Sequence, residues 1–477
     1  MDKKTASILN SLLIFDFFLD INGHLAYTKI IGSSGRAMTA TFFYHGGYSM
    51  DRRTFIQAFG AGAASWLSLS RANASAYQSL RSLNQKYIRD NSPDGKYWEA
   101  VQKHFCFEND LVMMNNGTVG PIPEPVYNTF THYIRIQAAN PYDCYAVLPQ
   151  YKDTVRQQLA RHIHADTDEV AVTRNTTEGL NLAAHGLKLK SGDEVILSSH
   201  EHPAGIQPWR LRAARDGIKI VEAKLAAPPK SIDEIVSSFE AAITPRTRVI
   251  SVSHTVYLTG LIVPVRELCE MAHRHDILVV ADSAHGFGML DLNMKSLDAD
   301  IFVSSPYKWG FAPTGLGMLY VKKPVQDSLW PLIASSGWDT LGSAQRFETL
   351  GQRLDPLFFA LEEAMKFQNQ IGKKRIERRI KTLAGYLKER LHAIDRVRVH
   401  TPDDPYLSAG LTAFSIKGVD PEHIVNFVRE KHNIVIRTIG RESDNTLGVR
   451  VSTPIYVNMD SIDRLLDSVR YLAEKRS

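Results

Sequence analysis

The sequence is short of cysteine, of long apolar runs and of charge of one sign. Its 477 residues include three cysteines, Cys106, Cys144 and Cys269. Their wide separation fits neither the paired ligands of a zinc site nor a redox dithiol. No run of about 18 uncharged apolar residues occurs, which argues against stable insertion in a membrane. The net charge of +5 is spread along the chain and gives no reason to expect a nucleic-acid partner.

An export signal is predicted near the N-terminus. Residues 50–76 read MDRRTFIQAFGAGAASWLSLSRANASA, with a twin arginine, a mildly apolar run and two small-x-small cleavage options. This pattern is typical of a bacterial twin-arginine signal. The alternative is an amphipathic helix with a chance arginine pair, although glycine, alanine and serine make the run a poor core helix.

The signal sets our expectations for the ends and location of the mature chain. We expect residues 1–49 to lie upstream of the true start at Met50, either disordered or not translated. The mature protein is expected to begin near Ser75 or Tyr77. It would reach the periplasm already folded, with the twin-arginine translocase as its partner during export.

Apolar runs alternate with amphipathic stretches between about residues 168 and 320. The chain is 44% hydrophobic, which suits a large core. Short runs rich in valine and isoleucine predict buried strands, and the stretches between them predict helices. This repetition favours an α/β fold with a mostly parallel sheet covered on both faces. The predicted strands are EVAVTR, DEVILSS, IKIVEAKL, RTRVISVSH, DILVVADSA, ADIFVSS and GMLYVKK.

The sequence changes character after about residue 345. LFFALEEAMKFQNQIGKKRIERRIKTLAGYLKERLHAI is one long helical pattern with charge on its outer face. Short strands are predicted in LTAFSIKG, NIVIRTIG and GVRVSTPIYV, and helices in PEHIVNFVREK and SIDRLLDSVRYLAEKR. The mixture predicts a smaller α+β domain packed beside the sheet.

Four polar motifs follow predicted strands, namely TTEGLN, HEHP, DSAHG and SPYK. Ligands of open α/β sheets bind outside the carboxyl ends of the strands, so we expect one active site there. Lys308 lies in SSPYKWGFAPTGLGMLY, where aromatics and glycines predict a packed turn. A lysine held in such a turn has its pKa lowered, as a Schiff-base lysine requires. The alternative is a surface lysine that snorkels beside the turn.

Asp282 ends the strand before the one that leads to Lys308, so a carboxylate is expected beside the amine. The pair is either a structural ion pair or the core of a pyridoxal phosphate site. That cofactor needs a carboxylate at its pyridine nitrogen and a lysine at its aldehyde. Its phosphate needs hydroxyls and the N–H groups of a helix N-terminus. Candidates for the phosphate are Thr176, Thr177, Ser305 and Tyr307. His202 either stacks on the cofactor ring or is an ordinary loop histidine.

A family resemblance adds to these observations. AVTRNTTEGLNLAAHGL, EHPAGIQPW, VVADSAHGFG, SPYKWGFAPTGLGMLY and GVRVSTPIYV follow one another as in class V aminotransferase-fold enzymes, which are fold-type I pyridoxal-phosphate enzymes. The resemblance covers roughly residues 105–475. NNGTVGPIPEPV, SHTVYLTGLIVPV and DSAHGFGMLDL are similar to the isopenicillin N epimerase-like branch.

The resemblance implies roles for the matching residues. Lys308 resembles the lysine that holds the cofactor covalently, Asp282 the partner of its pyridine nitrogen and His202 the ring-stacking residue. Thr176, Thr177, Ser305 and Tyr307 match phosphate-binding positions, and His285 stands near the cofactor's phenolic oxygen. Arg450 resembles the arginine that grips the substrate carboxylate, for which a bidentate fork is suited. Tyr257 and Asn116 are the further candidates for substrate binding.

The resemblance also implies an architecture. It suggests a sheet of the seven-stranded type and a homodimer. With the signal, it divides the chain into an upstream extension 1–49, the signal 50–76, an N-terminal segment 77–125, a large cofactor domain 126–345 and a small domain 346–477.

Two departures from the family's pattern matter. Cysteine desulfurases carry a nucleophilic cysteine after the strand NIVIRT, but here the loop reads TIGRESDNTLG, so a persulfide mechanism is not expected. The family's Gly-Thr, donated across a dimer interface, appears as Gly351–Gln352. The neighbouring Arg353 is either an anion contact or a solvated arginine.

The expected reaction begins with removal of the Cα proton of an α-amino carboxylate by Lys308. Epimerisation, transamination and loss of a β-substituent all remain open at this point. Epimerisation needs a second acid, for which Tyr257 and His285 are candidates. An exported member also resembles, in organisation, the periplasmic enzyme that modifies the glutamyl side chain of pyoverdine siderophores. Peptide or siderophore tailoring is therefore an alternative, and a non-catalytic binding relative is a third.

Overall fold

The structure, a computed structural model, describes residues 95–440 and 447–475, the strands at 17–19, 25–31 and 37–40, and residues 73, 77, 78, 80 and 82. Most of the predicted signal, residues 50–76, and the loop residues 441–446 lie outside the described residues. The chain divides into two compact units, Met1–Leu67 and Ser68–Ser477. No helix among the described residues is long and apolar enough to cross a membrane.

The first unit contains an antiparallel sheet of three short strands. These are β1 Phe17–Leu19, β2 Leu25–Ile31 and β3 Ala37–Ala40, with β2 in the middle. They fall within residues 1–49, whose position upstream of the true start stays a prediction.

The second unit contains thirteen described strands and twelve described α-helices. The strands are β4 Val112–Met113, β5 Val170–Thr173, β6 Glu194–Ser198, β7 Lys219–Ala223, β8 Thr247–Ser253, β9 Leu278–Ser283, β10 Ile301–Ser304, β11 Gly317–Val321, β12 Val397–Val399, β13 Leu411–Ile416, β14 Ile434–Val435, β15 Arg437–Ile439 and β16 Gly448–Ser452. The helices are α1 Gly95–Gln102, α2 Glu124–Ala139, α3 Pro141–His162, α4 Thr176–Gly186, α5 Pro203–Asp216, α6 Ile232–Glu240, α7 Val265–His273, α8 Met294–Leu297, α9 Pro356–Ile371, α10 Lys373–His392, α11 Pro421–His432 and α12 Met459–Glu474.

A seven-stranded sheet forms the centre of this unit, in the order β5-β11-β10-β9-β8-β6-β7. Strand β11 runs antiparallel to both of its neighbours, and the other pairs are parallel. The sheet lies between two hydrophobic layers, because successive residues of one strand join different clusters. Val279 and Ala281 of β9 pack with α7 and α9, whereas Val280 packs with α4 and α5. Burial on both faces explains why these strands are near-continuous apolar runs.

A smaller antiparallel sheet follows, in the order β12-β13-β16-β15. Helices α10, α11 and α12 cover it through a separate hydrophobic cluster. Strand β14 pairs with β4 in parallel, which joins Ile434 to Val112 from the start of the unit. The mostly parallel seven-stranded sheet with a smaller α+β part confirms the predicted fold class.

The long helical pattern near the C-terminus is two helices and not one. Helices α9 and α10 meet at Gly372, whose φ of +96° takes the backbone out of the helical region. Leu357, Leu361 and Met365 of α9 pack in the cluster of the large sheet, and Ile380 and Leu387 of α10 pack in that of the small one. The break therefore lets one continuous pattern serve two cores.

Candidate active site

Asp282 and Lys308 meet at the carboxyl ends of two neighbouring parallel strands. Val303 of β10 lies in register with Asp282 of β9, and Lys308 follows β10 in the next turn. Asp282 is 5% exposed, and its Oδ1 accepts a hydrogen bond from the N–H of Ala284 at 3.0 Å. Burial raises the pKa of Asp282, while that N–H and the Lys308 ammonium oppose the rise. Burial lowers the pKa of Lys308 to about 8, against the attraction of Asp282.

The turn that carries Lys308 is braced on three sides. The carbonyl of Lys308 accepts a hydrogen bond from Nδ2 of Asn116 at 3.2 Å. The carbonyl of the buried Trp309 accepts one from Nε2 of Gln368 at 2.9 Å. The N–H of Gly120 donates to the carbonyl of Tyr307 at 3.0 Å. A Cβ at Gly120 would lie 2.0 Å from the Lys308 carbonyl oxygen, so this approach requires glycine. The backbone of Lys308 is thus held in one place.

Helix α4 begins directly beside this turn. Asn175 is its N-cap and accepts the N–H of Glu178 at 2.9 Å, and the N–H groups of Thr176 and Thr177 in the first turn are not used by that cap. The hydroxyls of Thr176 and Ser305 lie 2.6 Å apart, and the Thr176 N–H lies 3.4 Å from the same Ser305 oxygen. Thr177 is exposed. Together these groups form a cluster of donors at a helix N-terminus, which suits an anion.

His202 caps helix α5 on another edge of the site. Its Nδ1 accepts the N–H of Ala204 at 3.1 Å, which leaves Nε2 to carry the proton of the neutral ring. The ring is exposed and lies edge-to-face with Tyr257, at 4.8 Å between centroids and 78° between planes. The structure therefore brings the predicted stacking residue and Tyr257 together.

His285 is buried and accepts a hydrogen bond at Nδ1 from the indole N–H of Trp309 at 3.2 Å. Burial holds the pKa of His285 well below its ordinary value, and the positive charge of Lys308 adds to the effect. The imidazole is therefore neutral near pH 7.

Arg450 lies on β16 with 1% of its surface exposed. Its Nη1 donates to the carbonyl of Tyr257 at 3.0 Å and its Nη2 to Oδ1 of Asn115 at 3.4 Å. Its Nε is buried and has no hydrogen-bond partner among the residues that the structure describes. Burial lowers the pKa of Arg450 to about 9, and the nearby charge of Arg437 adds to this. A buried cation without a carboxylate partner is suited to receive one from a ligand.

Asn116, a predicted substrate contact, has protein partners on both sides of its amide. Its Nδ2 donates to the Lys308 carbonyl, and its Oδ1 accepts the hydroxyl of Tyr456 at 3.0 Å. These contacts support the lysine turn, and the predicted substrate role stays a prediction.

Arg353 donates to the carbonyls of Val172 and Thr173, at 2.6 and 3.1 Å. It ties its loop to β5 and is not merely solvated, whereas the anion contact stays a prediction; Gln352 is exposed.

Sequence reasoning missed a buried carboxyl group next to His202. Glu201 is 1% exposed and accepts hydrogen bonds from the hydroxyls of Ser198 and Ser253 and from the N–H of Ser253. Burial raises the pKa of Glu201 to about 7, against these hydrogen bonds, and Asp282 adds to the rise. A Cβ at Gly205 would lie 3.6 Å from Glu201 Oε2 and 3.7 Å from Asp282 Oδ2. In the sequence, Glu201 stands between the two histidines of the HEHP motif, and a carboxylate in a motif that follows a buried strand was the feature that could have identified it.

The assembled groups fit pyridoxal phosphate. A lysine amine of lowered pKa stands beside a buried carboxylate, and a helix N-terminus with two paired hydroxyls lies at the same edge. A Cβ at Gly205 would touch Oδ2 of Asp282 at 3.7 Å, so the glycine puts no side chain between that oxygen and a pyridine nitrogen. Lys308 would hold the aldehyde, Asp282 the ring nitrogen, and Thr176 with Ser305 the phosphate.

Comparison with known proteins finds a matching family and several relatives. Residues 113–465 match the family described as aminotransferase class V. The isopenicillin N epimerase of Amycolatopsis lactamdurans is 31% identical over 79% of this chain and 99% of its own length. The isopenicillin N epimerase of Streptomyces clavuligerus is 30% identical, over 78% and 97%. A probable cysteine desulfurase of Methanothermobacter thermautotrophicus is 26% identical, over 71% and 86%.

Solved structures agree on the fold. The apo cysteine desulfurase of Thermococcus onnurineus NA1 matches with a TM-score of 0.70 and 24% identity, over 79% of this chain and 98% of that one. A C-DES mutant with glycine covalently linked to its PLP cofactor matches with a TM-score of 0.70 and 23% identity, over 78% and 99%. Because the family match spans most of the chain, the chain belongs to the aminotransferase class V family and uses pyridoxal phosphate as its cofactor.

Proposed function

We propose that the protein is an exported enzyme that removes the Cα proton of an α-amino carboxylate and returns a proton to the opposite face. The observation that carries this proposal is the pairing of Lys308 with Asp282, close enough to the buried Arg450 for its charge to lower the pKa of Lys308, while Arg450 has no acidic partner among the described residues. The similarity to two isopenicillin N epimerases favours epimerisation over transamination. Pyridoxal phosphate, when bound, supplies the electron sink that acidifies the Cα proton.

Lys308 is the proposed base. Its pKa of about 8 leaves about a tenth of the amine neutral at pH 7 and half of it neutral at pH 8, and the neutral form is the one that a general base needs. The braced backbone at Asn116 and Gly120 keeps the amine aimed at one position. Asp282 would hold the proton of the ring nitrogen, because its buried carboxylate gains from a cationic partner.

Arg450 would orient the substrate through its α-carboxylate. Its contacts with Tyr257 and Asn115 fix the guanidinium, and no acidic side chain in the described part of the chain pairs with it, which leaves the charge for a ligand. Fixing the carboxylate sets which face of Cα meets Lys308.

Tyr257 is the proposed second acid for epimerisation. Its phenol ring lies against His202, and its backbone carbonyl is tied to Arg450, so it adjoins both the stacking and carboxylate sites. His285 is a weaker candidate because burial keeps its imidazole neutral and Nδ1 already accepts from Trp309.

A cysteine desulfurase activity is the second candidate, since several relatives carry that description. It requires a thiolate at the site, and the loop from 440 to 447 contains no cysteine. Cys269 is buried in α7, and burial raises the pKa of its thiol. Cys106 lies after α1. These positions support an enzyme that is not a desulfurase, and sulfide release from L-cysteine by the loaded protein would contradict this.

The location and assembly are also proposed. Arg52–Arg53 and the small-x-small sites support export to the periplasm by the twin-arginine route. Exposed aromatic side chains support a homodimer, among them Tyr127, Tyr142, Tyr145 and Trp330. N-terminal sequencing of the periplasmic fraction tests the first proposal. Light scattering tests the second.

Proton NMR in deuterium oxide tests the reaction itself. The cofactor-loaded protein is expected to exchange the Cα proton of its substrate and to form both stereoisomers. Lys308→Ala is expected to abolish exchange, while Lys374→Ala on the exposed face of α10 is a matched control that keeps it. Tyr257→Phe is expected to retain exchange but lose inversion. Release of a keto acid would identify an aminotransferase instead, and the absence of exchange with every α-amino carboxylate would reject the proposal.

A further inference from the structure

Two arginines face each other across neighbouring strands at the edge of the site. Strands β15 and β16 are antiparallel, and Arg437 lies in register with Arg450. Directly opposed residues on such strands project from the same face of the sheet, with Cβ atoms about 5 Å apart. The two guanidinium groups therefore belong to one surface.

Neither arginine is neutralised within the part of the chain that the structure describes. Arg437 is exposed and donates from Nη1 to the hydroxyl of Thr118 at 3.3 Å and from Nε to the carbonyl of Thr438 at 3.2 Å. Arg450 donates to a carbonyl and an amide oxygen, and its Nε has no partner. All these acceptors are uncharged, so two positive charges remain on one face.

Like charges placed directly opposite each other on a sheet destabilise it. The charge of Arg437 also reaches the rest of the site, since it contributes to the lowered pKa values of Arg450, Lys308 and His285. An anionic ligand would remove this repulsion, and one carboxylate satisfies one guanidinium fork. A second anionic group is therefore needed to match the second arginine.

We propose that Arg437 and Arg450 together form a subsite for a substrate with two carboxylates, which makes the substrate an acidic α-amino acid or a residue that retains both groups. This rests on the proposed function, in which Arg450 takes the α-carboxylate. Arg437 takes the distal carboxylate, with the Thr118 hydroxyl beside its guanidinium. Gly117 helps to keep the approach open, since a Cβ there would lie 2.8 Å from Nη2 of Arg450.

Ligand binding tests the subsite without catalysis. Glutarate and its monoamide, glutaramate, have the same length and differ by one negative charge. Binding to the cofactor-loaded protein is measured by calorimetry and by the shift in thermal midpoint. Wild type is expected to prefer glutarate by about tenfold or more, as for a hydrogen-bonded charge pair. Arg437→Gln is expected to abolish most of that preference.

Arg398→Gln is the matched control, because it removes the same charge from an exposed position on β12 of the same sheet. It is expected to keep the glutarate preference. Equal binding of the two ligands to wild type would overturn the subsite, as it would show that Arg437 is already neutralised. An undiminished preference in Arg437→Gln would overturn it as well.

The subsite and the proposed function fail in different ways. If no amino acid exchanges its Cα proton but the glutarate preference depends on Arg437, the function is wrong and the subsite stands. If exchange occurs equally with L-glutamate and L-glutamine, in wild type and Arg437→Gln alike, the function stands and the subsite is wrong.

Discussion

Lys308 and Asp282 regulate each other's protonation. Burial disfavours the charged form of both side chains, whereas the charge of each favours the charged form of the other. The balance leaves the lysine amine with a pKa of about 8, well below that of a lysine in water. A neutral amine is the form that attacks an aldehyde, so this pair also governs how the protein captures its cofactor.

Asp282→Asn should therefore lower the pKa of Lys308 further below its value of about 8. The substitution removes the negative charge that favours the ammonium, and burial then acts unopposed. Capture of the cofactor by apo protein is expected to reach half of its maximal rate at a lower pH than in wild type. Borohydride reduction at timed intervals, followed by mass spectrometry of the Lys308 peptide, measures that rate. Asp291→Asn is the control, and a midpoint that rises in Asp282→Asn contradicts the coupling.

Single residues differ in how well the sequence predicted them. Asp282 lies at the end of β9, and Ser305 and Lys308 follow β10; parallel strands bring their carboxyl ends together, so the proximity of these residues was predictable. Glu201 was not, because one of its partners, Ser253, lies 52 residues later, beyond the helices α5 and α6 and the strand β7 and at the end of β8. Arg437 appeared as an ordinary strand residue, and only the pairing register sets it against Arg450.

Helix α4 and the turn after β10 form one anion-binding element. The N-terminus of α4 supplies N–H groups, and Ser305 brings a hydroxyl to Thr176 from the other strand end. The helix supplies the N–H groups and the Thr176 hydroxyl, and the turn supplies the Ser305 hydroxyl. The sheet order, which places β10 near α4, therefore brings the donors of this anion site together.

Ser305→Ala is expected to weaken binding of pyridoxal phosphate by about tenfold, the cost of a hydrogen bond to a charged group. Binding of pyridoxal, which lacks the phosphate, should be unchanged, because Lys308 and Asp282 are intact. Equilibrium dialysis of apo protein against each compound measures both constants. Ser328→Ala, at the end of the 3-10 helix Lys323–Ser328, is the control. An equal loss for both compounds would place the effect of Ser305 elsewhere than on the phosphate.

The Lys308 turn depends on a close approach by Gly120. A methyl group there would lie 2.0 Å from the Lys308 carbonyl oxygen, so Gly120→Ala must displace one of the two segments. We expect destabilisation of about 1–3 kcal/mol, as for other overpacked sites. Slower cofactor capture should accompany it.

Gly385→Ala is the matched control, since Gly385 lies inside α10 and a Cβ there meets nothing within 4 Å. It should stabilise the protein by about 1 kcal/mol through helix propensity. Thermal midpoints of both variants test the pair of expectations. A stabilised Gly120→Ala protein would show that the turn can move without cost.

At the scale of the whole molecule, the large sheet was predictable and the connections between parts were not. Strands β8, β9, β10 and β11 are buried on both faces and so appear as apolar runs in the sequence. Strands β4 and β14 are two residues each and pair across most of the unit, which leaves no local pattern. The break at Gly372 was hidden because α9 and α10 follow each other directly as one apolar pattern, although most apolar side chains of α9 pack in the cluster of the large sheet and those of α10 pack in that of the small one.

Glu201 links the active site to the stability of the whole molecule. It joins β6 to β8 through Ser198 and Ser253, and its pKa rises from an ordinary 4.5 to about 7 in the fold. Between pH 4.5 and about 7, Glu201 therefore keeps its proton in the folded protein but loses it in the unfolded chain. Its contribution to stability is greatest below pH 4.5 and falls as pH rises to 7, by as much as about 3 kcal/mol.

Glu201→Gln should remove this dependence, because the amide cannot ionise. The difference between the two thermal midpoints, variant minus wild type, is expected to increase as pH rises from 5 to about 7.5. This increase does not depend on the size of the difference at pH 5. Glu194→Gln is the contrasting control: hydrogen bonds from Thr244 and Arg246 lower the pKa of Glu194, so its contribution is constant above its ordinary pKa. A constant difference between wild type and Glu201→Gln across this pH range would mean that Glu201 is already ionised at pH 5. The network of Ser198 and Ser253 would then outweigh burial, and Asp282 would share the site with a permanent second anion.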